Sequence, residues 1–308
     1  MKTHTSKARR LRASFGPLLI AFLVVPMMLL AQTPAAKPEP SLLEEGGSSK
    51  FSAPRNGPYQ IKIVSYNTRW RSGDELQRIV QSLKSGAGLG GATLVGLQEV
   101  DRNKVRSGNA NTARMLAQEL GMFYAWAAPP ATKGAKEEET GVAILSAYPL
   151  TNTTHIVLPH EGPGGRRRSA LGATITIGTQ TIRVYSVHAE TRITVAKKLD
   201  QMRAVLADLN HYPKTMPAIV LGDFNTWEVN AGEETSRLFV DADFQTPFHS
   251  DVPTFQTKAL ITIELKLDWI WLRGLQAESS GIDRTLTVSD HFPLWTVASV
   301  GKGRKQEQ

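Results

Sequence analysis

From Ile61 to Tyr66 the chain reads Ile-Lys-Ile-Val-Ser-Tyr, a run rich in β-branched residues that predicts a strand. In Asp74–Lys84 the period changes: Leu76, Ile79, Val80 and Leu83 fall on one face, which predicts a helix with Asp74 near its cap. Thr93–Gln98 reads as a buried strand, and Asn111–Leu120 as a second amphipathic helix stopped by Gly121. Further strands are expected at Val142–Ser146, Ala170–Ile177, Thr181–His188, Ala218–Leu221, Leu267–Leu272 and Leu294–Ala298. The longest helix spans about Thr194–Asn210, with Val195, Leu199, Met202, Leu206 and Leu209 at helical spacing and Thr194 able to cap it. Many strands joined by short connections, with few helices between them, imply mixed or antiparallel sheets covered by helices rather than a barrel of eight βα units.

Punctuation divides the chain. Residues 1–31 hold a basic start ending at Arg12, then an apolar run from Phe15 to Ala31 broken by Gly16, Pro17 and Pro26. The run is short for a membrane span and reads as an export signal, with an uncleaved N-terminal anchor as the alternative. Either places the rest of the chain in the periplasm, outside the cell, or tethered to the outer face of the cytoplasmic membrane. Residues 32–58, rich in Pro, Gly and Ser, read as a flexible linker; the folded domain is expected over 59–300, with a polar tail at 301–308. Two loops look exposed. Pro129–Thr140 carries Glu137, Glu138 and Glu139, which read as solvated; His160–Arg168 carries three glycines and the consecutive arginines 166–168.

Composition narrows the chemistry. The chain has no cysteine, which excludes disulfides, thiolate catalysis, Cys-ligated metal sites and lipoprotein anchoring. The formal charge is +8, but five of the 36 Lys and Arg residues lie within residues 1–31, which contain no acid. The remaining 31 bases face 28 acids, a net of +3, too small to argue for a nucleic-acid partner.

Polar residues stand at the ends of the expected strands, where a side chain is held rigidly and opens onto the sheet rim. They are Asn67, Glu99, His188, Asp223 and Asn225 (in Gly222-Asp223-Phe224-Asn225), Asp268, and Asp290 with His291 (in Ser289-Asp290-His291). The chemistry that needs such a set is attack by water on a phosphate ester. Hard divalent cations take oxygen ligands, so Glu99 and Asp290, with Asn67 nearby, fit Mg²⁺, with Mn²⁺ or Ca²⁺ as alternatives. Asp223 fits the acceptor of the water proton. Asn225 and His188 fit donors to phosphoryl oxygens, as does His291 if Asp268 holds it protonated. Arg168, in the arginine run, is the further candidate for phosphate binding. Trp70, Trp227 and Trp269 are explained by core or rim packing.

In this order and separation, the motifs Gly-Asp-Phe-Asn and Ser-Asp-His, with Asn67, Gln98-Glu99, Gly141–Ser146, His188 and Leu267-Asp268-Trp269-Ile270, resemble the endonuclease/exonuclease/phosphatase superfamily from Ile61 to about Val297. The resemblance implies a DNase I-like α/β fold, a four-layered sandwich of two mixed sheets flanked by helices, and supports the roles above. It further implies that His188 belongs to the branch of DNase I, sphingomyelinases and phosphatases. The expected activity is metal-dependent hydrolysis of a phosphate ester, with a diester the leading expectation, by a monomer that meets a membrane only through its N-terminal segment where that segment is uncleaved. Substrates stay open between nucleic acid, phospholipid and a small phosphodiester. A nuclease needs a basic groove; a sphingomyelinase-like enzyme needs an exposed apolar hairpin, and none stands out in the sequence. A non-catalytic binding module on the same fold is the rival of another class.

Overall fold

The protein is described by a computed structural model covering residues 41–48, 60–131, 139–258 and 260–300. The expected signal segment 1–31 and tail 301–308, with Glu137 and Glu138, lie outside these residues.

The strands in chain order are β1 Leu43–Gly47, β2 Gln60–Asn67, β3 Leu94–Arg102, β4 Phe123–Ala127, β5 Glu139–Ser146, β6 Thr151–Val157 and β7 Ser169–Ile177. They continue with β8 Gln180–His188, β9 Ala218–Asp223, β10 Phe255–Lys258, β11 Thr262–Leu265, β12 Asp268–Arg273, β13 Leu275–Ile282 and β14 Leu294–Val300. The helices are α1 Gly73–Ser85, α2 Thr112–Leu120, α3 Val195–Leu209 and α4 Ala231–Val240. Among the described residues a seven-stranded sheet runs β1-β4-β5-β3-β2-β14-β13 and a five-stranded sheet runs β12-β9-β8-β7-β6. Both are mixed: β2 pairs parallel with β3, and β8 parallel with β9, while the other neighbours are antiparallel.

Three apolar layers explain the stacking. Ile61, Ile63, Leu94 and Ile144 of the larger sheet meet Ile175, Val184, Ile219 and Leu272 of the smaller one, forming the core between them. The outer face of the larger sheet, with Val64, Val95 and Leu97, packs on Leu76, Ile79 and Leu83 of α1 and Leu116 of α2. The outer face of the smaller sheet, with Tyr185, Val220 and Trp271, packs on Met202 and Val205 of α3 and Phe239 of α4. Strands buried on both faces read as near-continuous apolar runs, which is why they stood out in the sequence. The result is the four-layered sandwich.

Two expectations need correction. Leu43–Gly47, inside the expected linker, is a strand that pairs with β4. Charge rather than apolar burial fixes it: the Glu44 carboxylate accepts from Tyr124 (2.7 Å), Asn111 (3.0 Å), Arg102 (3.2 Å) and Arg114 (2.5 Å). Glu139 is not solvated either. It opens β5, is buried, and accepts from Arg102 Nε at 2.5 Å.

Candidate active site

The sheet topology carries the strand ends to one rim. β8 and β9 run parallel with His188 opposite Asp223, and β12 runs antiparallel with Asp268 opposite the same Asp223. Gly222 permits this approach: its φ is +139°, and a Cβ there would lie 2.0 Å from the carbonyl oxygen of Val187. From the other sheet, β2 delivers Asn67, whose amide nitrogen donates to Asp223 Oδ2 at 3.0 Å across the sandwich.

Glu99 reaches the rim by a different device. A bulge between Gln98 and Val100 breaks the pairing of β3 with β5, and Glu99 adopts φ +56°. Bulges re-aim side chains, and a left-handed glutamate stores on the order of 1 kcal/mol of strain. The loop after β2 is fastened to this bulge by Trp70 N–H donating to the Glu99 carbonyl at 3.0 Å. Arg69 and Trp70 also have positive φ, as does Asn225, so strained backbone gathers around one opening.

That opening is a cleft of about 420 Å³ whose walls include Glu99, His188, Asp223, Asn225, Asp290 and His291. Asp223 is its buried centre: Oδ2 lies 3.5 Å from His188 Nε2 and 3.9 Å from His291 Nε2, and Oδ1 accepts the Asn225 backbone N–H at 3.0 Å. Burial raises the Asp223 carboxyl to about 7, the Asp268 charge adds to the rise, and His291 with the Asn225 and Asn67 hydrogen bonds opposes it. Burial alone would depress His291. The Asp268 and Asp223 carboxylates outweigh it and push the imidazole up to about 10, with His291 Nδ1 2.9 Å from Asp268 Oδ2. His291 is therefore an imidazolium whose Nε2–H faces the cleft.

His188 is the opposite case. Burial, then the positive charges of Arg168 and His291, hold it well below the ordinary imidazole range, so it is neutral. Arg168 Nη1 stands 3.2 Å from His188 Nδ1. A guanidinium only donates, so Nδ1 is the acceptor and the proton sits on Nε2, turned toward Asp223 and, at 3.9 Å, Glu99.

Two expected site residues, Asn67 and Arg168, stand elsewhere than their sequence roles imply. Asn67 does not line the cleft; it is 1% exposed, with its nitrogen on Asp223 and its oxygen accepting Arg69 N–H at 3.0 Å. Its nitrogen positions Asp223, and its oxygen is turned to the Arg69 backbone. Asp268 sits behind the wall and holds His291. Arg168 is not a cleft residue: the buried anion of Glu190 draws it inward, with Arg168 Nε 3.4 Å from Glu190 Oε2. Asn225 keeps a donor for the cleft, because only one of its two amide hydrogens is spent on Ala189 O at 3.0 Å. Of the tryptophans, Trp70 and Trp227 line the rim, and Trp269 is core.

Glu190 is the residue the sequence reading missed. It is fully buried, accepts from Arg166 Nε at 2.9 Å, from Arg166 Nη2 and from Arg192 N–H at 3.1 Å, and Gly162 packs against its carboxylate where a Cβ would lie 2.4 Å from Cδ. Its only sequence signal was a position two residues after His188.

The cleft and its floor offer two sets of donors for a divalent cation. Asp223, Asp268 and His291 offer atoms within 4.8 Å of one another. In that cluster Asp268 Oδ2 and His291 Nδ1 hold each other and the imidazole is protonated, which leaves Asp268 Oδ1 buried without a hydrogen-bond partner among the described residues. Glu99 and Asp290 fit better. Among the described residues none donates a hydrogen bond to the Glu99 carboxylate, and Asp290 is held by Arg69 Nη1 at 3.1 Å, an ion pair with a 41% exposed guanidinium. Both carboxylates face the cleft, and hard cations favour such ligands.

Comparison with known proteins agrees with this picture. The family described as "PGAP2IP, C-terminal nuclease-like domain" matches residues 55–240. Protein cwh43 of Schizosaccharomyces pombe is 34% identical over 93 residues, which is 30% of this chain and 9% of that much longer protein. Among solved structures, an endonuclease/exonuclease/phosphatase family protein from Leptotrichia buccalis aligns with TM-score 0.59 and 18% identity, over 77% of this chain and 98% of that one. The human Nocturnin catalytic domain with bound sulfate aligns with TM-score 0.60 and 18% identity, over 81% and 99%.

Proposed function

The chain belongs to the family of PGAP2IP C-terminal nuclease-like domains, within the endonuclease/exonuclease/phosphatase superfamily of metal-dependent phosphoesterases, and from that premise we propose that it hydrolyses a phosphodiester by in-line attack of water in the cleft at Asp223. The observation that carries this reading is the meeting of Asn67, His188 and His291 around the buried carboxylate of Asp223.

Glu99 and Asp290 would hold the divalent cation, with Mg²⁺ the best match to an oxygen-only pair. When bound, the cation supplies charge neutralisation of the phosphate and support for the leaving oxygen. The protein groups do the rest. Asp223, oriented by Asn67 and the Asn225 backbone, takes the proton of the attacking water. His291 presents a charged Nε2–H and His188 a neutral Nε2–H, and the spare Asn225 amide hydrogen adds a third donor to the phosphoryl oxygens. Asp268 keeps His291 charged and in place.

Charge placement weighs against a nuclease. Arg166 and Arg168 are turned to Glu190, and Arg167 to Glu161, so the arginine run offers no basic groove for a nucleic-acid backbone. The leader-like residues 1–31 support export of the domain, or its tethering beyond the cytoplasmic membrane. The test is turnover of a chromogenic phosphodiester with Mg²⁺, Mn²⁺ or Ca²⁺, before and after chelation, by the wild type and by Asp223→Asn and His291→Gln. Loss of roughly a hundredfold or more in each folded variant is expected; unchanged turnover in both, or full activity after chelation, sinks the reading.

A further inference from the structure

Beside the cleft stands a two-stranded ribbon, β10–β11, that belongs to neither sheet. Its register sets Phe255 opposite Leu265 and Thr257 opposite Ile263. Side chains alternate along a strand, so these four share one face, while Gln256, Lys258, Thr262 and Glu264 take the other. Phe255 and Leu265 line the cleft. The apolar face continues outward from them through Ile263, 40% exposed, to Leu260 and Ile261 at the turn, 104% and 69% exposed. Single exposed apolar residues need no explanation; a contiguous stripe from a catalytic cleft to a projecting tip does.

We propose that this hairpin docks on a phospholipid bilayer: Leu260, Ile261 and Ile263 enter the interfacial layer, and the cleft is thereby held at the level of the lipid phosphates. The proposal rests on the phosphoesterase reading for its consequence, and names the substrate class as phosphodiesters presented at a membrane surface. Three observations favour a bilayer over a protein partner. A two-residue tip on a narrow ribbon offers far less than the ~800 Å² per side of a stable protein interface, whereas an apolar tip suffices for a fluid apolar medium. Lys258, exposed beside the tip, suits anionic headgroups. The stripe also runs without a break into the cleft, so chains attached to a phosphate bound there have an apolar track to follow.

The hairpin is joined to the chemistry. Gln256 N–H donates to the Asp290 carbonyl at 2.8 Å, Phe292 N–H donates to the Thr254 carbonyl at 2.7 Å, and the Phe255 ring meets the His291 ring edge-on at 5.0 Å. Docking would therefore brace the segment that carries Asp290 and His291.

The absence of cysteine makes a local test possible in the full chain. Leu260→Cys and, as a control on the outer helix layer, Val240→Cys (59% exposed in the wild type) are labelled with an environment-sensitive nitrobenzoxadiazole probe. On adding vesicles of phosphatidylcholine, with or without phosphatidylglycerol, the label at 260 should shift to the blue and be quenched by lipid-borne spin labels, and the label at 240 should not. This readout is local, so binding through residues 1–31 cannot imitate it. A label at 260 that stays in water, or that shifts with protein concentration alone as in self-association, overturns the proposal. In parallel, the double variant Leu260→Ser/Ile261→Ser should lose roughly tenfold or more of its turnover of vesicle phospholipid while keeping its turnover of the soluble chromogenic diester. Equal loss on both substrates also overturns it. If the label inserts but the wild type cleaves neither substrate, the catalytic reading fails and the docking stands.

Discussion

Replacing Glu190 by glutamine should cost the protein about 3–4 kcal/mol of stability near neutral pH, and the cost should shrink in acid. The side chain keeps its shape but loses its charge, and places an amide donor against guanidinium donors. Arg166 is 45% exposed, so its share is screened and is worth at most about 1 kcal/mol. Arg168 is 16% exposed and has the neutral His188 on its other side, so it would remain a buried cation without its anion. Removing one partner of a buried pair typically costs about 3 kcal/mol or more, which makes Arg168 the dominant contribution. The sign with pH follows from the folded carboxyl. Burial would raise it, but Arg166, the Arg192 N–H and Arg168 together hold it below the ordinary glutamate value. Its stabilisation is thus complete above the unfolded value and is lost as pH falls through the depressed folded one. Urea unfolding followed by tryptophan fluorescence, at neutral pH and in steps down into acid, measures both. Adding Arg168→Met to Glu190→Gln should restore part of the loss, because no buried charge is then stranded. A loss under about 1 kcal/mol at neutral pH, or a gap that does not narrow in acid, would refute the argument.

Other consequences are open to direct measurement. Lys266 is buried over the Trp269 ring at 4.4 Å, and burial, opposed by Asp268 and Asp251, lowers its ammonium from 10.5 to about 7. Between those values the unfolded chain holds a proton that the folded one lacks, so stability should rise with pH across that window; Lys266→Met should remove the slope and stabilise the protein near neutral pH by a few, on the order of 3, kcal/mol. Asp268→Asn should lower kcat roughly a hundredfold to ten-thousandfold with little change in KM, as His291 loses the anion that keeps it charged, and ¹⁵N NMR should find that imidazole neutral at a pH where the wild type is protonated. Gly222→Ala combines φ +139° with a Cβ at 2.0 Å from Val187 O, and should lower the thermal midpoint by the equivalent of roughly 2 kcal/mol or more while separating His188 from Asp223; an unchanged melting curve would contradict the close pairing of β8 and β9.

What was readable in the chain and what was not divides along a physical line. Strands such as Ala218–Asp223 and Asp268–Arg273 are buried on both sides, so their sequences carry the apolar signal that makes a strand end recognisable, and the polar residue placed there stands out. Solvated and very short elements have no such signal. β13, Leu-Gln-Ala-Glu-Ser-Ser-Gly-Ile, is half solvated along its length, and β10 and β11 are four residues each, too short for any period to show. The apolar tip at Leu260 and Ile261 was therefore hidden in plain composition: two aliphatic residues mean nothing until a turn is known to push them into solvent beside a cleft.

Charges were misread for a related reason. An acidic or basic residue in a loop is most often solvated, and that prior sent Glu139 to the surface, left Glu44 and Glu190 unremarked and offered Arg168 to a phosphate. Each is instead half of a pair whose partner is distant in sequence: Glu44 with Arg102 and Arg114, Glu139 with Arg102, Glu190 with Arg166 and Arg168. Burying a charge is tolerable only when its counter-charge arrives with it, so the meaning of either residue exists only in the folded pair. The same holds at the site itself. His188 and His291 are indistinguishable as letters, yet one faces an arginine and the other an aspartate, and that difference alone makes one a neutral donor and the other a cation around a single shared carboxylate.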